Sequence, residues 1–125
     1  MRSALSIADS IVKDIERATE RVEKARAELV DVLTKGGRLD SNLSDRLVHA
    51  EATLNLWKHV LQERALGTGD DEAASRAAIA KGRARAMEIV MSGPLHSTSL
   101  TRRAYSEIEV QAARTFHSDL TGYED

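Results

Sequence analysis

At 125 residues the chain is the size of one domain, and 42% hydrophobic with 30% charged residues excludes a disordered polymer. A net charge of -2 gives no bulk attraction to nucleic acid or membranes, and the absence of Cys excludes disulfides, thiol catalysis and thiolate metal sites. Aromatics are only 3%, so the core must come from Leu, Ile, Val and Ala; alanines bury little area each, at about 25 cal/mol per Å², and oligomerisation is expected to add stability.

The opening Met1 to Asp9 does not read as a signal peptide, because Asp9, Lys13 and Asp14 interrupt its apolar run. No apolar stretch approaches the ~20 residues of a membrane span, and a cytoplasmic location with no membrane partner is expected. A first helix is predicted over 3–35. Ala4, Ala8, Ile11, Ile15, Ala18, Val22, Ala25, Leu29 and Val32 alternate spacings of four and three, the signature of coiled-coil packing. Lys35-Gly36-Gly37 stops it, with Gly supplying the left-handed cap.

The second helix, predicted over 42–65, repeats the rhythm with Leu43, Leu47, Ala50, Leu54, Trp57 and Leu61. A short connection, Gly36 to Asp40, folds the two helices back as an antiparallel hairpin. On these bounds the first helix outruns the second by roughly 14 Å. Ala4, Ala8 and Ile11 would then need cover from elsewhere. Thr68 with Asp71 fits a loose capping box, and a third helix is predicted over 70–91, ended by Ser92-Gly93-Pro94.

The third helix is apolar on two sides. Ala77, Ala80, Ala84, Met87 and Met91 share one arc; Ala78, Ile79, Gly82, Ala86, Ile89 and Val90 share another, roughly opposite. Two apolar faces imply two packing partners and place this helix either in the centre of a bundle or at a subunit interface. Leu95 to Ser99 reads as a loop. A fourth helix is expected over 100–117, with Tyr105, Ile108, Ala112 and Phe116 on one face, although Glu107-Ile108-Glu109-Val110 also fits a short strand. Residues 118–125 are expected to fray. The fold class is therefore all-α: a single domain, 1–125, in which a long antiparallel hairpin extends to a three- or four-helix bundle with coiled-coil-like packing.

Chemistry-bearing constellations are few. From Arg76 to Arg103 the chain holds Arg76, Lys81, Arg83, Arg85, Arg102 and Arg103 against Glu88 alone. Such a cluster fits phosphate contacts. The helical angles separate Arg76 and Arg83 from Lys81 and Arg85, however, and two short rows suit arginines that border apolar faces. Asp45 and His49, and His59 and Glu63, stand four residues apart. No Glu-x-x-His or His-Glu-x-x-His occurs, so solvated ion pairs are favoured over a metal site, and no cofactor is expected. Trp57 reads as a core anchor, with a partner hot spot as the alternative. Hydroxyls of Ser92 to Thr101 flank His96, without the orienting carboxylate and oxyanion hole that nucleophilic catalysis needs.

Tyr105-Ser106-Glu107-Ile108-Glu109 resembles the Tyr-x-x-x-Asp/Glu signal of small helical hairpins exported by type VII secretion. Those proteins also carry Trp-x-Gly in the hairpin turn. Here the turn is Lys35-Gly36-Gly37-Arg38 and Trp57 lies well inside the second helix. The likeness is confined to five residues and assigns no family.

The function expected from these features is non-enzymatic: a helical interaction protein, forming a homo-oligomer and binding a protein partner. The expected interface is Ala78, Ile79, Gly82, Ala86, Ile89 and Val90, with Trp57. The alternatives are a nucleic-acid-associated protein using the basic residues from 76 to 103, and a small inhibitor or adaptor from a mobile element whose acids mimic phosphates. An enzyme using helix-borne His and carboxylates ranks third.

Overall fold

The computed structural model describes residues 7–36, 41–67, 71–93 and 100–123. Four α-helices follow one another: α1 (Ile7–Thr34), α2 (Ser41–Leu66), α3 (Asp71–Ser92) and α4 (Leu100–Leu120). A 3-10 turn, η1 (Thr121–Tyr123), ends the described chain. No strand occurs among the described residues. The segment from Glu107 to Val110 is helical, as its place within one continuous apolar face requires. The proposed helix start at 3–6, the Thr68–Asp71 capping box and the loop containing His96 lie wholly or in part outside the described residues.

Glycine stops two helices as the sequence indicates. Gly36 (φ 70°) and Gly93 (φ 69°) take the left-handed conformation that tolerates no Cβ cheaply. Gly93 N–H donates to the carbonyls of Ile89 and Val90, at 3.1 and 3.2 Å, satisfying groups the helix end would otherwise orphan.

Cross-helix contacts fix the directions. Arg26 meets Glu51 and Arg46 meets Glu28, each at 3.3 Å, so α1 and α2 are antiparallel. Lys81 meets Glu63 at 3.0 Å while Ile89 shares a hollow with Ala52 and Leu56, which sets α3 antiparallel to α2. A Cβ on Gly82 would lie 3.4 Å from Leu120, while Ile89 and Gly93 lie near Ser106 and Val110, so α4 runs back along α3. Both α2 and α3 touch all three other helices. The core runs through Ile11, Ala18, Leu56, Trp57, Val60, Ala78, Ile79, Ala86, Ala113, Phe116 and Leu120.

Over the described residues the expected overhang of α1 is small, and its part at 3–6 lies outside them. With 28 residues against 26, the two hairpin helices differ by only about 3 Å in length. Ala8 and Ile11 are nevertheless buried, because α3 lies against the first turns of α1. The Ile7 N–H, an orphan donor at the helix start, donates to Glu72 Oε1 at 2.8 Å. The N-terminal end of α3 thus caps α1 as well as covering it.

Two further expectations change. The stripe predicted for α2 is only half-buried at Leu43, Leu47, Ala50 and Leu54 and exposed at Leu61; Val48, Leu56, Trp57 and Val60 are the buried positions. A helix with three neighbours has no single seam. Nor does the chain fray from 118. Helix α4 continues to Leu120, which is fully buried, and η1 folds Tyr123 into the core. There Tyr123 Oη donates to Asp14 Oδ2, and its ring lies 6.2 Å from that of Trp57. The closing aromatic has a pocket to fill, and that burial outweighs terminal entropy.

Candidate functional site

Two surfaces stand out, and neither is the face expected from the sequence. Ala78, Ile79, Gly82 and Ala86 are buried, and Ile89 and Val90 are packed against the same core. Trp57 is 5% exposed and sets its ring edge-on to Phe116, centroids 5.0 Å apart and planes at 81°. All seven residues of the expected interface therefore serve the chain's own core. The physical reason is the fourth helix. Once α4 joins α2 against α3, the Gly82 side of α3 is consumed within the monomer.

The opposite arc of α3 is the one left open. Ala77, Ala80, Ala84, Met87 and Met91 are all exposed, Met87 at 39% and Met91 at 78%. Their spacing of three and four residues makes a continuous apolar line along the helix. Small alanines allow close approach of another helix, and the two methionines adapt to irregular surfaces.

The second surface is a groove of about 260 Å³ along the seam between α1 and α2. Its lining includes Ala18, Ala25 and Ala50 with Thr53, and the charged residues Arg21, Lys24, Glu28 and Arg46 beside His49. It exists because alanines face each other across the seam, where larger side chains would have closed it. The pattern that would have revealed it in the sequence was alanine on both facing stripes. An aromatic closes the seam one turn further along, where Tyr123 reaches Asp14 and Trp57.

The basic residues do not gather. Arg76 and Arg83 flank a hollow with Ile7 and Tyr123, whereas Lys81 and Arg85 flank another with His59, Glu63 and Glu88. Lys81 pairs with Glu63 at 3.0 Å, and Arg85 with Glu88 at 3.6 Å. Arg102 and Arg103 are exposed at the far end of α4 from Leu120. Two acids, Glu63 and Glu88, share the hollow of Lys81 and Arg85, and no single phosphate-tracking stripe results.

The histidines fall in separate places too. His59 Nε2 is 3.9 Å from Glu63 Oε1, a long contact beside the shorter Lys81 bond. His49 borders the α1–α2 groove. Among the described residues no three His, Asp or Glu side chains group as metal ligands. Tyr105, which begins the five-residue export-like pattern, is an exposed residue inside α4 rather than after a two-helix hairpin.

The fold and these surfaces define an all-α four-helix bundle with an open apolar seam on α3 and a basic-rimmed groove on its hairpin. No described helix is long and apolar enough to cross a membrane. No protein family, no curated protein and no solved structure matches the chain.

Proposed function

We propose that this chain is a non-enzymatic helical interaction protein of the cytoplasm, which assembles with copies of itself and binds a protein partner. The observation that carries this reading is the exposed line Ala77, Ala80, Ala84, Met87 and Met91. The contacts of α3 with α1, α2 and α4 leave this face out, and the outward face of a helix in such a bundle is normally polar. Here the second face follows coiled-coil spacing, and the four-helix core leaves it uncovered. A neighbouring helix laid along it would bury both methionines, and each fully buried side chain of that size contributes about 1.5–3 kcal/mol.

Sedimentation velocity of the purified chain at micromolar concentration tests this reading. The parent is expected to self-associate, and Ala84→Glu with Met87→Glu to run as a monomer with unchanged far-ultraviolet helicity. A parent that stays monomeric over the whole concentration range would remove the self-assembly on which the reading rests.

A further inference from the structure

We propose that the open groove between α1 and α2 receives an acidic amphipathic helix of a partner protein. The proposal rests on the interaction reading above but uses a different surface. Within the chain, the same seam already shows how it is filled. At Asp14 and Trp57 the turn that follows α4 places Tyr123 between α1 and α2, with its hydroxyl on Asp14 and its ring 6.2 Å from that of Trp57. One helical turn on along each strand of the hairpin, at Ala18 and Thr53, the filling stops and the groove opens. Its apolar floor, with Ala18, Ala25 and Ala50, therefore continues an internal packing site and calls for apolar side chains presented the same way.

Size and charge narrow the occupant. A volume of about 260 Å³ falls below the ~300–1,000 Å³ of sites that enclose small molecules. It suits a few anchoring side chains projecting from a larger body, as helices present them at i, i+3, i+4 and i+7. The rim carries Arg21, Lys24 and Arg46 against Glu28. Glu28 is committed to Arg46 at 3.3 Å, which leaves Arg21 and Lys24 as the charges offered outward. Acidic residues flanking the partner's apolar stripe complement that rim. The open α3 seam of a second copy is edged by Arg76 and Lys81 as well as by Glu88, and Glu88 is paired with Arg85 at 3.6 Å, so that seam offers no acidic flank. Nucleic acid would meet an apolar floor where its phosphates need cations.

Fluorescence anisotropy of the full chain tests this with two labelled synthetic peptides of about five helical turns. Both carry Leu at i, i+3, i+4 and i+7; one has Glu at the flanking positions and the other Lys. The Glu peptide is expected to bind saturably, and the Lys peptide at least tenfold more weakly. Arg21→Glu with Lys24→Glu, surface changes that leave helicity intact, should weaken the Glu peptide at least tenfold, and Ala50→Leu should block it by filling the floor. Absence of saturable binding, equal binding of both peptides, or indifference to the charge reversal would overturn the proposal. So would loss of self-association in the Arg21→Glu, Lys24→Glu chain, since that places a second copy in the groove. If the peptides fail while Ala84→Glu with Met87→Glu still dissolves an oligomer, only the groove assignment falls.

Discussion

A Cβ built on Gly82 would stand 2.5 Å from Cγ2 of Val60, closer than two carbons can pack. The same point lies 3.4 Å from Leu120 Cδ1 and 3.7 Å from Phe116 Cε2. Two helices, α2 and α4, thus converge on one residue of α3 that has no side chain. Gly82→Ala gains about 1 kcal/mol of helix propensity. It also drives a methyl into fully buried Val60, and overpacking of this kind costs about 1–3 kcal/mol. The branched valine has little room to turn, so the cost lies at the upper end and the net loss is about 2 kcal/mol. Urea denaturation followed by circular dichroism measures it. Val60→Ala should relieve the clash, so the double variant should be more stable than the two single losses predict, by about 0.5–3 kcal/mol. Strict additivity would mean that α2 and α3 do not meet there.

The end of the chain offers a second measurement. Tyr123 is 5% exposed and its hydroxyl donates to Asp14. Tyr123→Phe keeps the ring and loses a bond to a carboxylate, at a cost of about 1.5–3 kcal/mol. Tyr123→Ala also loses the ring contact with Trp57 and should cost about 3 kcal/mol or more. If the end were frayed, both variants would unfold at the parent's denaturant midpoint.

The residues most legible in the sequence are those that share a single helical stripe. Helix α1 rests on α2 and, at its first turns, on α3 along one stripe, so its spacing of four and three named Ala8, Ile11, Ala18, Val22 and Ala25 as buried, with Ile15, Leu29 and Val32 partly so. Helix α2 faces three helices, and a single stripe could not find Val48, Leu56 and Val60 on its other sides. Tyr105 fits the face of α4 by angle, yet it is 51% exposed, because a position one helical face away, Ser106, is the one turned inward. The two-faced character of α3 was visible, but which face the monomer keeps was not. That choice depends on where α4 lands, and no local pattern encodes it. The groove escaped notice for a related reason: alanine on a core stripe reads as packed until the opposite residue is known to be alanine too.

Trp57 is the single tryptophan, and its environment reports on the whole core. Its emission should be blue-shifted in the native chain and move red on unfolding. For a two-state domain, the fluorescence transition should coincide with loss of helicity. Phe116→Ala should cost about 3–5 kcal/mol by leaving a cavity beside the indole. Paired with Trp57→Leu in a double-mutant cycle, it should show a coupling of about 0.5–1.5 kcal/mol from the edge-on ring contact. A transition that finishes by fluorescence well before helicity is lost would show that the bundle does not melt as one unit.

The Arg46–Glu28 pair separates stability from recognition. Its side chains are 56% and 35% exposed, and an ion pair so open to water contributes roughly 0–1 kcal/mol after screening. Arg46→Ala should therefore leave the urea midpoint almost unchanged. On the groove rim, however, it removes one cation and leaves Glu28 without the partner that neutralises it. The rim then offers Arg21 and Lys24 against an open carboxylate. Affinity for the Glu-flanked peptide should fall several-fold, mostly at low salt, where exposed charges act over the longest range. Glu28→Gln should act oppositely, raising affinity with equally little effect on stability. Opposite signs in binding with flat stability identify the rim as an electrostatic guide to the groove. Equal effects of the two substitutions on binding would mean that rim charge does not select the occupant.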